Sequence, residues 1–543
     1  MEDTRSALVR HTAVMSLGTA LSRITGVARL IATVAALGII KDRLADAYNT
    51  ANVTPNIIYE LVLGGVLSSV FVPVFVDWMQ TRGPEEARDV ARDVMSIAIV
   101  VLGTVMVVGM VAAPVIISLY TVQVPAAQQE ATRALASFFL VFFMPQILLY
   151  GVGSVATGLL NAHRRFAAPM FAPILNNLVV IATMIVVTQL PGPTNPGELA
   201  TTAQKYILAI GTTFGVFAMT AALWPSLRRT GFRFRWRLQW RDAAVRRIVR
   251  LATWVIVYVV SNQLAYLLVI VLANRDTGGL SAYQYAFIVF QLPHAIFVVS
   301  VFTALLPAMS SRWSAGDREG YRSQLSMGIR ATAFIIIPAA LGYLALAQPI
   351  ARLLFAHGPF AGAAQPEQQT RFVAQILFAF ALGLFSFSTF QLLTRGFYAM
   401  QDSRTPALVN VGANLVNVAA NLLFFFVLHL GVRGLALGHA TAYTAGTAAL
   451  LWAMRRRLDR IEGRRIAAGV GKALVAGGGG AGVAWGVARL VGDALGTTTL
   501  PHQVVQIAAA VAAGVLVFGV IALIVGAEEV DTVKNMLVSR FGR

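Results

Sequence analysis

Long apolar segments recur along almost the whole chain, and they restrict its possible folds more than any other feature. A membrane-crossing helix needs about 20 mainly apolar residues. Of the 543 residues, 57% are hydrophobic and only 12% are charged. A soluble protein of this length needs far more polar surface. The sequence therefore predicts an all-α polytopic membrane protein.

On this length criterion the sequence predicts about fourteen transmembrane helices. They cover residues 12–40, 46–78, 94–118, 133–159, 170–190, 205–227, 248–272, 281–308, 325–347, 371–395, 406–428, 434–453, 468–492 and 503–526. Basic connections, such as residues 228–247 and 455–465, alternate with short connections that carry little charge. The positive-inside rule places the basic connections in the cytoplasm, and the even number of spans places both termini there too.

An internal repeat relates two halves of the chain. Residues 160–178 align with residues 397–415, which pairs Pro169 with Pro406 and Asn177 with Asn414. Residues 68–78 resemble residues 302–313 in the same way. About six predicted spans separate the paired segments, so the two halves keep the same orientation in the membrane. Chance similarity of the two loop–helix junctions is the alternative.

The repeat predicts three parts of the chain. Residues 1–230 form an N-terminal six-helix lobe and residues 231–455 form a C-terminal six-helix lobe. Residues 456–543 form two appended transmembrane helices that have no counterpart in the repeat. Transporters built from such repeats bind their substrate near the membrane midplane, at the interface of the repeats.

Two arginines, Arg23 and Arg29, lie near the centre of the first predicted span. A cation there costs at least ~2.5–3.5 kcal/mol, so it usually faces a protein interior or a watery cavity. Arginine also binds phosphate or carboxylate through two parallel hydrogen bonds. A buried anion site is one interpretation, and an internal ion pair that holds helices together is the other. The two side chains lie about 120° apart on an ideal helix, and a bend at Gly26 would turn both towards one cavity.

The second predicted span begins at Asp46 and contains Glu60. It is too long for a straight crossing, and Pro55 and the glycine pair 64–65 offer places to bend it. Glu60 has two interpretations. It forms an interhelical ion pair with an arginine of the first span, or it is a carboxylate whose protonation or cation binding resets the cavity.

Four asparagines follow one face of the eleventh predicted span: Asn410, Asn414, Asn417 and Asn421. Spacings of four, three and four residues place them on the same side of a helix. Amides in hydrocarbon need hydrogen-bond partners, so this face is expected to turn inward. Interhelical hydrogen bonding is one interpretation. A hydrophilic path, or a set of carbonyl oxygens for a cation, is the other.

Several classes of function are disfavoured. The chain has no cysteine, and its seven histidines are scattered without HExxH spacing, so neither a metal site nor a cofactor is expected. It has no glycine-rich phosphate loop and no GxSxG motif, which argues against an enzyme. The net charge of +19 lies in the cytoplasmic connections, where anionic lipid rather than nucleic acid is the expected partner.

Five segments of the sequence form a recognisable set: SRITGVAR (22–29), DAYNTANVTP (46–55), GGVLSSVFVPVF (64–75), LNAHRRFAAPMFAPILNN (160–177) and RGFYAMQDSRTP (395–406). Together they resemble the MurJ (MviN) family of lipid II flippases, within the multidrug/oligosaccharidyl-lipid/polysaccharide exporter group. The similarity runs from about residue 10 to about residue 455, and the two appended helices fit it as well.

The resemblance implies alternating access around a central cationic cavity. It implies transport of undecaprenyl-diphosphate-linked disaccharide-pentapeptide, lipid II, from the inner to the outer leaflet of the bacterial plasma membrane. The appended helices would form a groove for the lipid tail. Arg23 and Arg29 match the first-helix arginines of the family, and Asp46 matches its acidic residue before the second helix. Asn56, with Pro55 before it, matches a Pro-Asn pair.

The chain departs from the family at three positions where further cavity arginines are common. It has Tyr59 and Glu60 after the Pro-Asn pair, and Ile288 in the predicted eighth helix. The resemblance therefore implies a less cationic cavity than is usual in the family.

No ATP-binding motif is present, so the membrane potential, Na⁺ or H⁺ is expected to reset the cycle. Membrane lipids and cell-wall synthesis proteins are further expected partners. Three rival functions stay open on the sequence alone: a cation-coupled small-molecule or drug antiporter, a flippase for another polyprenyl-diphosphate oligosaccharide, and a scaffold for cell-wall enzymes.

Overall fold

The computed structural model describes residues 2–39, 43–61, 83–163, 165–195, 198–239, 243–356 and 366–529, together with positions 75, 79 and 81. These residues form α-helices with short π-helical segments, and no strand occurs among them. They divide into two compact units, one within Met1–Ser281 and one within Ala282–His357 and Ala364–Arg543. The predicted all-α class is confirmed, while the predicted limits of the three parts stay a prediction.

The first unit consists of ten helices along the described residues. They are α1 (Glu2–Leu37), α2 (Leu44–Tyr59), α3 (Pro84–Val111), α4 (Ala113–Tyr120), α5 (Ala126–Phe143), α6 (Pro145–Ala162), α7 (Ala167–Thr188), α8 (Thr202–Ala221), α9 (Trp224–Arg228) and α10 (Ala243–Ala273). The next helix, α11 (Gly279–Pro293), begins at the end of this unit.

The second unit continues α11 and contains the remaining described helices. They are α12 (Val299–Ser314), α13 (Arg318–Phe355), α14 (Pro366–Ala381), α15 (Leu384–Ala399), α16 (Arg404–Leu422), α17 (Val432–Arg457), α18 (Gly463–Leu495) and α19 (Leu500–Ile524). Short π-helical segments follow α11 at His294–Val298 and α16 at Leu423–Val427.

Local sequence signals account for several helix ends. Gly38 ends α1 with a φ of +70°, a left-handed conformation that glycine adopts without steric cost. Thr201 and Gln204 form a reciprocal capping box at the start of α8. Asp317 caps α13 by accepting a hydrogen bond of 2.8 Å from the Gly320 backbone N–H.

The described residues contain ten helical segments that are long and apolar enough to cross a membrane. An eleventh results if α14 and α15, which meet at a bend of 47°, count as one broken span. The predicted second span and the glycine pair 64–65 extend beyond the described residues, as does most of the repeat segment 68–78. The membrane class of the chain is therefore confirmed, and the total of fourteen spans stays a prediction.

The two predicted bends in the first helices do not take the form of helix breaks. α1 continues through Gly26, where a Cβ atom would lie 3.8 Å from Asn177 Nδ2, so Gly26 marks a helix contact. α2 continues through Pro55 to Tyr59. The directions of Arg23 and Arg29 are therefore set by a continuous helix.

The aligned prolines of the repeat occupy equivalent positions in the two units. Pro169 and Pro406 are each the third residue of their helix, α7 and α16 respectively. Proline suits the first turn because its missing N–H has no intrahelical partner there. The repeated sequence therefore encodes a repeated helix start.

Glycines bring the two appended helices, α18 and α19, into close contact. A Cβ atom at Gly480 would lie 2.7 Å from the Gly514 carbonyl oxygen on α19. A Cβ atom at Gly477 would lie 3.2 Å from Pro338 Cα on α13. Small residues allow this approach of helix backbones in membranes. The glycine run 477–480 thus joins α18 to two neighbours.

We expect Gly480→Val to separate α18 from α19 and to destabilise the second unit by about 1–3 kcal/mol, as overpacking does in other cores. Gly478→Val is the matched control, because no atom lies within 4 Å of a Cβ atom at Gly478. Thermal unfolding of the two purified variants in detergent measures the difference. Equal melting temperatures for both variants would contradict the close contact.

Candidate substrate-binding site

Helix α1 presents Arg23 and Arg29 differently within the first unit. The Arg23 side chain is exposed, and the Arg29 side chain is half-buried. α1 is held against α7 by Asn177, whose Nδ2 donates to the Ser22 carbonyl oxygen at 3.3 Å and to Thr25 Oγ1 at 3.0 Å. These contacts lie on either side of Arg23 along the helix and fix the position of this part of α1 against α7.

Burial along one face of α1 shows where this surface opens. Arg23, Leu30 and Val34 share a face, because steps of seven and four residues return close to the same side of a helix. Arg23 is exposed, whereas Leu30 is 4% and Val34 is 3% exposed. The surface of α1 is thus exposed at Arg23 and becomes buried within two helical turns, at Leu30.

Two tyrosine phenols of neighbouring helices lie within electrostatic range of the Arg29 guanidinium. Its charge acts on the phenols of Tyr48 and Tyr150, which belong to α2 and α6. The Tyr48 hydroxyl shares a hydrogen bond of 2.9 Å with Thr212 Oγ1, and the Tyr150 hydroxyl donates to Gln146 Oε1 at 3.4 Å. Arg29 therefore faces polar groups of its own unit.

Asn56 and Glu60 extend the same polar environment along α2. Both side chains are exposed. Asn56 lies beside the Tyr150 hydroxyl, and its Nδ2 donates to the Asn52 carbonyl oxygen at 3.2 Å. Glu60 lies one helical turn beyond Asn56 on α2. We group these two side chains with Arg23, Arg29 and Tyr150 as the α1–α2 surface.

Within the described residues, neither Arg23 nor Arg29 forms an ion pair with a carboxylate. The interhelical bridge to Glu60, one of the two interpretations from sequence, is not formed among these residues. Two guanidinium groups that form no ion pair with a described carboxylate leave their hydrogen-bond donors available for an anion.

Tyr59 occupies one of the positions where the family resemblance leads one to expect an arginine. Its hydroxyl shares a hydrogen bond with Ser154 Oγ, and its ring packs against Tyr150 at a centroid distance of 5.7 Å. Ile288 is another position where the resemblance leads one to expect an arginine. It lies in the second unit and is 41% exposed. At Tyr59, a hydroxyl group therefore takes the place of a further cation.

Asp46 lies away from the open surface, at the buried start of α2. The carboxylate accepts hydrogen bonds from the Gly278 N–H at 2.7 Å and from the Ser281 N–H and Oγ at 3.2 and 2.8 Å. It is fully buried and saturates the N-terminus of α11. These hydrogen bonds hold the start of α2 against the start of α11. A direct contact of Asp46 with substrate therefore stays a prediction.

Arg43, which was not among the candidate residues predicted from the sequence, completes this buried cluster. Its guanidinium lies 3.6 Å from Asp46 Oδ2 and donates to the Asn274 carbonyl oxygen at 2.7 Å and to the Arg275 carbonyl oxygen at 3.1 Å. Its Nε donates to Gln128 Oε1 at 2.8 Å. The available signal was a basic residue three positions before Asp46, within the charged run of residues 41–43.

We call residues 43–51 and 274–281 the closed end of the first unit, because every described side chain from Arg43 to Ala51 is buried. Burial lowers the pKa of the Arg43 guanidinium, and the charges of Asp46 and Asp276 oppose this shift. Burial likewise raises the pKa of Asp276, against the effect of Arg275 and Arg43. Because these groups are removed from water, the charge of Arg43 and the charge of Asp276 are each stabilised by the opposite charges nearby.

The asparagine stripe lies on α16 in the second unit. Asn410 is 2%, Asn417 is 8% and Asn421 is 0% exposed. Asn421 Nδ2 donates to Asn417 Oδ1 at 3.0 Å, and a Cβ atom at Gly438 on α17 would lie 2.0 Å from Asn421 Oδ1. The predicted inward direction is therefore observed, at the contact of α16 with α17. The described residues contain no group of three or more histidine, aspartate or glutamate side chains placed to hold a metal ion.

The family profile described as "Lipid II flippase MurJ" matches residues 35–506 of this chain. This is most of the sequence. The chain belongs to the MurJ lipid II flippase family. A probable lipid II flippase MurJ of Rhizobium meliloti is 28% identical over 419 residues, which is 77% of this chain and 76% of that protein. The lipid II flippase MurJ of Burkholderia cenocepacia is 26% identical over 445 residues, or 81% of this chain and 82% of that protein.

Solved structures agree with the MurJ fold. A lipid II flippase MurJ in an inward closed conformation matches with a TM-score of 0.74 and 21% identity, over 94% of this chain and 98% of that one. An inward-facing multidrug resistance MATE family transporter of the MOP superfamily matches with a TM-score of 0.65 and 16% identity, over 83% of this chain and 98% of that one. At these identities the similarity concerns the fold alone.

Proposed function

We propose that this MurJ family member carries lipid II from the inner to the outer leaflet, and that Arg23 and Arg29 bind the diphosphate of its headgroup. The observation that supports this assignment is the α1–α2 surface, where both guanidinium groups lack a carboxylate partner among the described residues. The obstacle in this transport is a charged sugar–peptide head that must cross ~30 Å of hydrocarbon.

The chemistry of the α1–α2 surface fits a diphosphate better than a cationic drug. Guanidinium groups bind phosphate oxygens through paired hydrogen bonds and stay charged at any working pH. The hydroxyl of Tyr150 and the amide of Asn56 add neutral donors for sugar or phosphate oxygens. The antiporter alternative would favour an acidic, aromatic surface. Among the side chains that form the α1–α2 surface, Glu60 is the single carboxylate.

We infer that the closed end lies on the outer side of the membrane. The basic connections place the N-terminus in the cytoplasm by the positive-inside rule, so α1 runs outward towards Gly38. The open part of the first unit, around Arg23, then faces the cytoplasm, where lipid II is made available. Separation of residues 274–281 from the start of α2 would release the headgroup outside.

The driving force is expected to be electrical or ionic. Moving one charge through 100 mV supplies ~2.3 kcal/mol. Glu60 is exposed and is the candidate for protonation or cation binding in the α1–α2 surface. The asparagines of α16 are candidates for an ion path in the second unit.

Binding measurements on the purified protein test the assignment. We expect lipid II to bind more tightly than a diphosphate lipid with a different oligosaccharide, and cationic dyes not to compete. Competition by cationic dyes would favour the antiporter. Equal binding of unrelated diphosphate lipids would favour a flippase for another polyprenyl-linked oligosaccharide.

A further inference from the structure

The second unit carries a group of arginines at the end where the positive-inside rule does not predict basic residues. Most basic residues of the second unit lie at the other end, where α13 begins, α17 ends and α18 begins. Arg318 Nη1 and Asp459 Oδ2, 3.6 Å apart, join the start of α13 to the α17–α18 connection. The basic residues at this end include Arg455, Arg456, Arg457, Arg460, Arg464 and Arg465. The positive-inside rule assigns this end to the cytoplasm, so the opposite end lies at the outer leaflet.

Two adjoining cavities open at that opposite end, and we call them together the outer arginine pocket. The first, of about 640 Å³, is lined by Arg352, Arg371 and Arg433. The second, of about 550 Å³, is lined by Arg489 and again by Arg352. Both volumes fall in the range of small-molecule sites. All lining residues belong to the second unit, from α13, α14, α17, α18 and α19 and from the short connections before α15, α17 and α19.

The carboxylates of the pocket do not balance its arginines. Four arginines face two acidic residues, Glu367 and Asp493. Arg352 takes up Glu367 in a two-pronged ion pair, with Nε–Oε2 and Nη2–Oε1 distances of 3.0 and 2.6 Å. Across the part of the second unit that the structure describes, Arg371, Arg433 and Arg489 form no ion pair.

The remaining lining suits an amphiphile. Gln348 and Gln375 add amide donors beside the arginines, and Phe378 and Leu382 add apolar surface that is 46% and 52% exposed. The Arg489 guanidinium carbon lies 5.6 Å from the centroid of the Trp485 ring, which lines the second cavity and is 53% exposed. Tryptophan at this depth is typical of a membrane interface.

We propose that the outer arginine pocket binds the phosphate group of a lipid in the outer leaflet, with Arg371 and Arg433 as its principal ligands. Guanidinium groups at the outer surface oppose the usual charge bias, and a lipid phosphate supplies the anion that their carboxylate neighbours do not. The apolar lining favours a lipid headgroup over free phosphate. The lipid is either the diphosphate lipid after its transport or a resident anionic phospholipid.

Lipid binding to the Arg371→Gln/Arg433→Gln double variant tests this proposal. Both side chains are exposed, so the substitutions leave the fold intact, which the melting temperature verifies. Every protein in the test also carries Arg23→Ala and Arg29→Ala, so that the α1–α2 surface does not contribute. The probes are undecaprenyl diphosphate, phosphatidylglycerol and inorganic diphosphate, and native mass spectrometry counts the bound lipid. Arg464→Gln, at the cytoplasmic end, is the matched control.

We expect the double variant to bind at least one of the two lipids about tenfold more weakly than its parent, and Arg464→Gln to bind like its parent. Loss of undecaprenyl diphosphate alone identifies a diphosphate lipid as the ligand, and loss of phosphatidylglycerol alone identifies a resident phospholipid. Unchanged binding of both lipids would overturn the proposal. So would an equal loss in Arg464→Gln, or inorganic diphosphate that binds as tightly as the lipids. None of these outcomes depends on whether the protein transports lipid II.

Discussion

Arg29→Ala is expected to reduce lipid II translocation strongly, by at least about tenfold, while the amount of protein in the membrane stays normal. Arg29 makes no ion pair with any described residue, so its removal leaves no buried carboxylate unpaired and does not disturb the fold. A hydrogen bond to a charged group contributes about 1.5–3 kcal/mol, so loss of a two-pronged contact weakens binding by at least about tenfold. Arg23→Ala is expected to have the same direction of effect.

The charge and the geometry of this contact can be separated by a second substitution. Arg29→Lys keeps the positive charge but loses the planar pair of donors, so we expect partial transport. The measurement is the amount of lipid II accessible at the outer face of cells depleted of their own flippase. Arg165→Ala is the control, because Arg165 is exposed in the α6–α7 connection. Normal translocation by an Arg29→Ala protein at normal abundance would refute the assignment.

Asp46→Ala is expected to open the closed end and to destabilise the first unit by about 3–5 kcal/mol, as for other buried pairs that lose one partner. The substitution leaves the Arg43 guanidinium buried without its carboxylate and removes the acceptor from Gly278 and Ser281. Hydrogen exchange of residues 274–281 reports the opening, and we expect exchange there to rise most.

A surface pair in the same unit provides the matched control for this result. Arg88 and Glu85 have the same sequence spacing and the same N–O distance, 3.6 Å, as Arg43 and Asp46. The Glu85 side chain is 92% exposed, whereas that of Asp46 is 0% exposed. Exposed pairs contribute about 0–1 kcal/mol, so Glu85→Ala should change stability little.

A double-mutant cycle then tests whether the two buried charges act together. We expect Arg43→Met/Asp46→Asn to be less destabilised than the sum of the two single variants, because no charge is left unpaired. Strict additivity, or an Asp46→Ala variant whose residues 274–281 exchange as slowly as in the parent protein, would show that the closed end does not depend on this pair.

The sequence alone was sufficient for the class of protein and for its family. Hydropathy determines membrane insertion almost independently of tertiary contacts, since each span must satisfy its backbone hydrogen bonds within itself. The two arginines of α1 could be chosen for the same reason, because a cation in hydrocarbon is costly wherever its helix packs. The aligned prolines of α7 and α16 were also readable, as helix starts depend on local chemistry.

What each polar residue contacts was decided only by the tertiary structure. Asp46 and Asn56 lie ten residues apart on one helix, yet one is saturated by the N-terminus of α11 and the other faces an open surface. Arg43 finds its partners more than eighty residues away at Gln128 and more than two hundred away at Asn274. The outer arginine pocket likewise draws its arginines from α13, α14, α17 and α18. Periodicity assigns a residue to a face of its own helix, but the partner of that face depends on packing between distant segments, which no local pattern encodes.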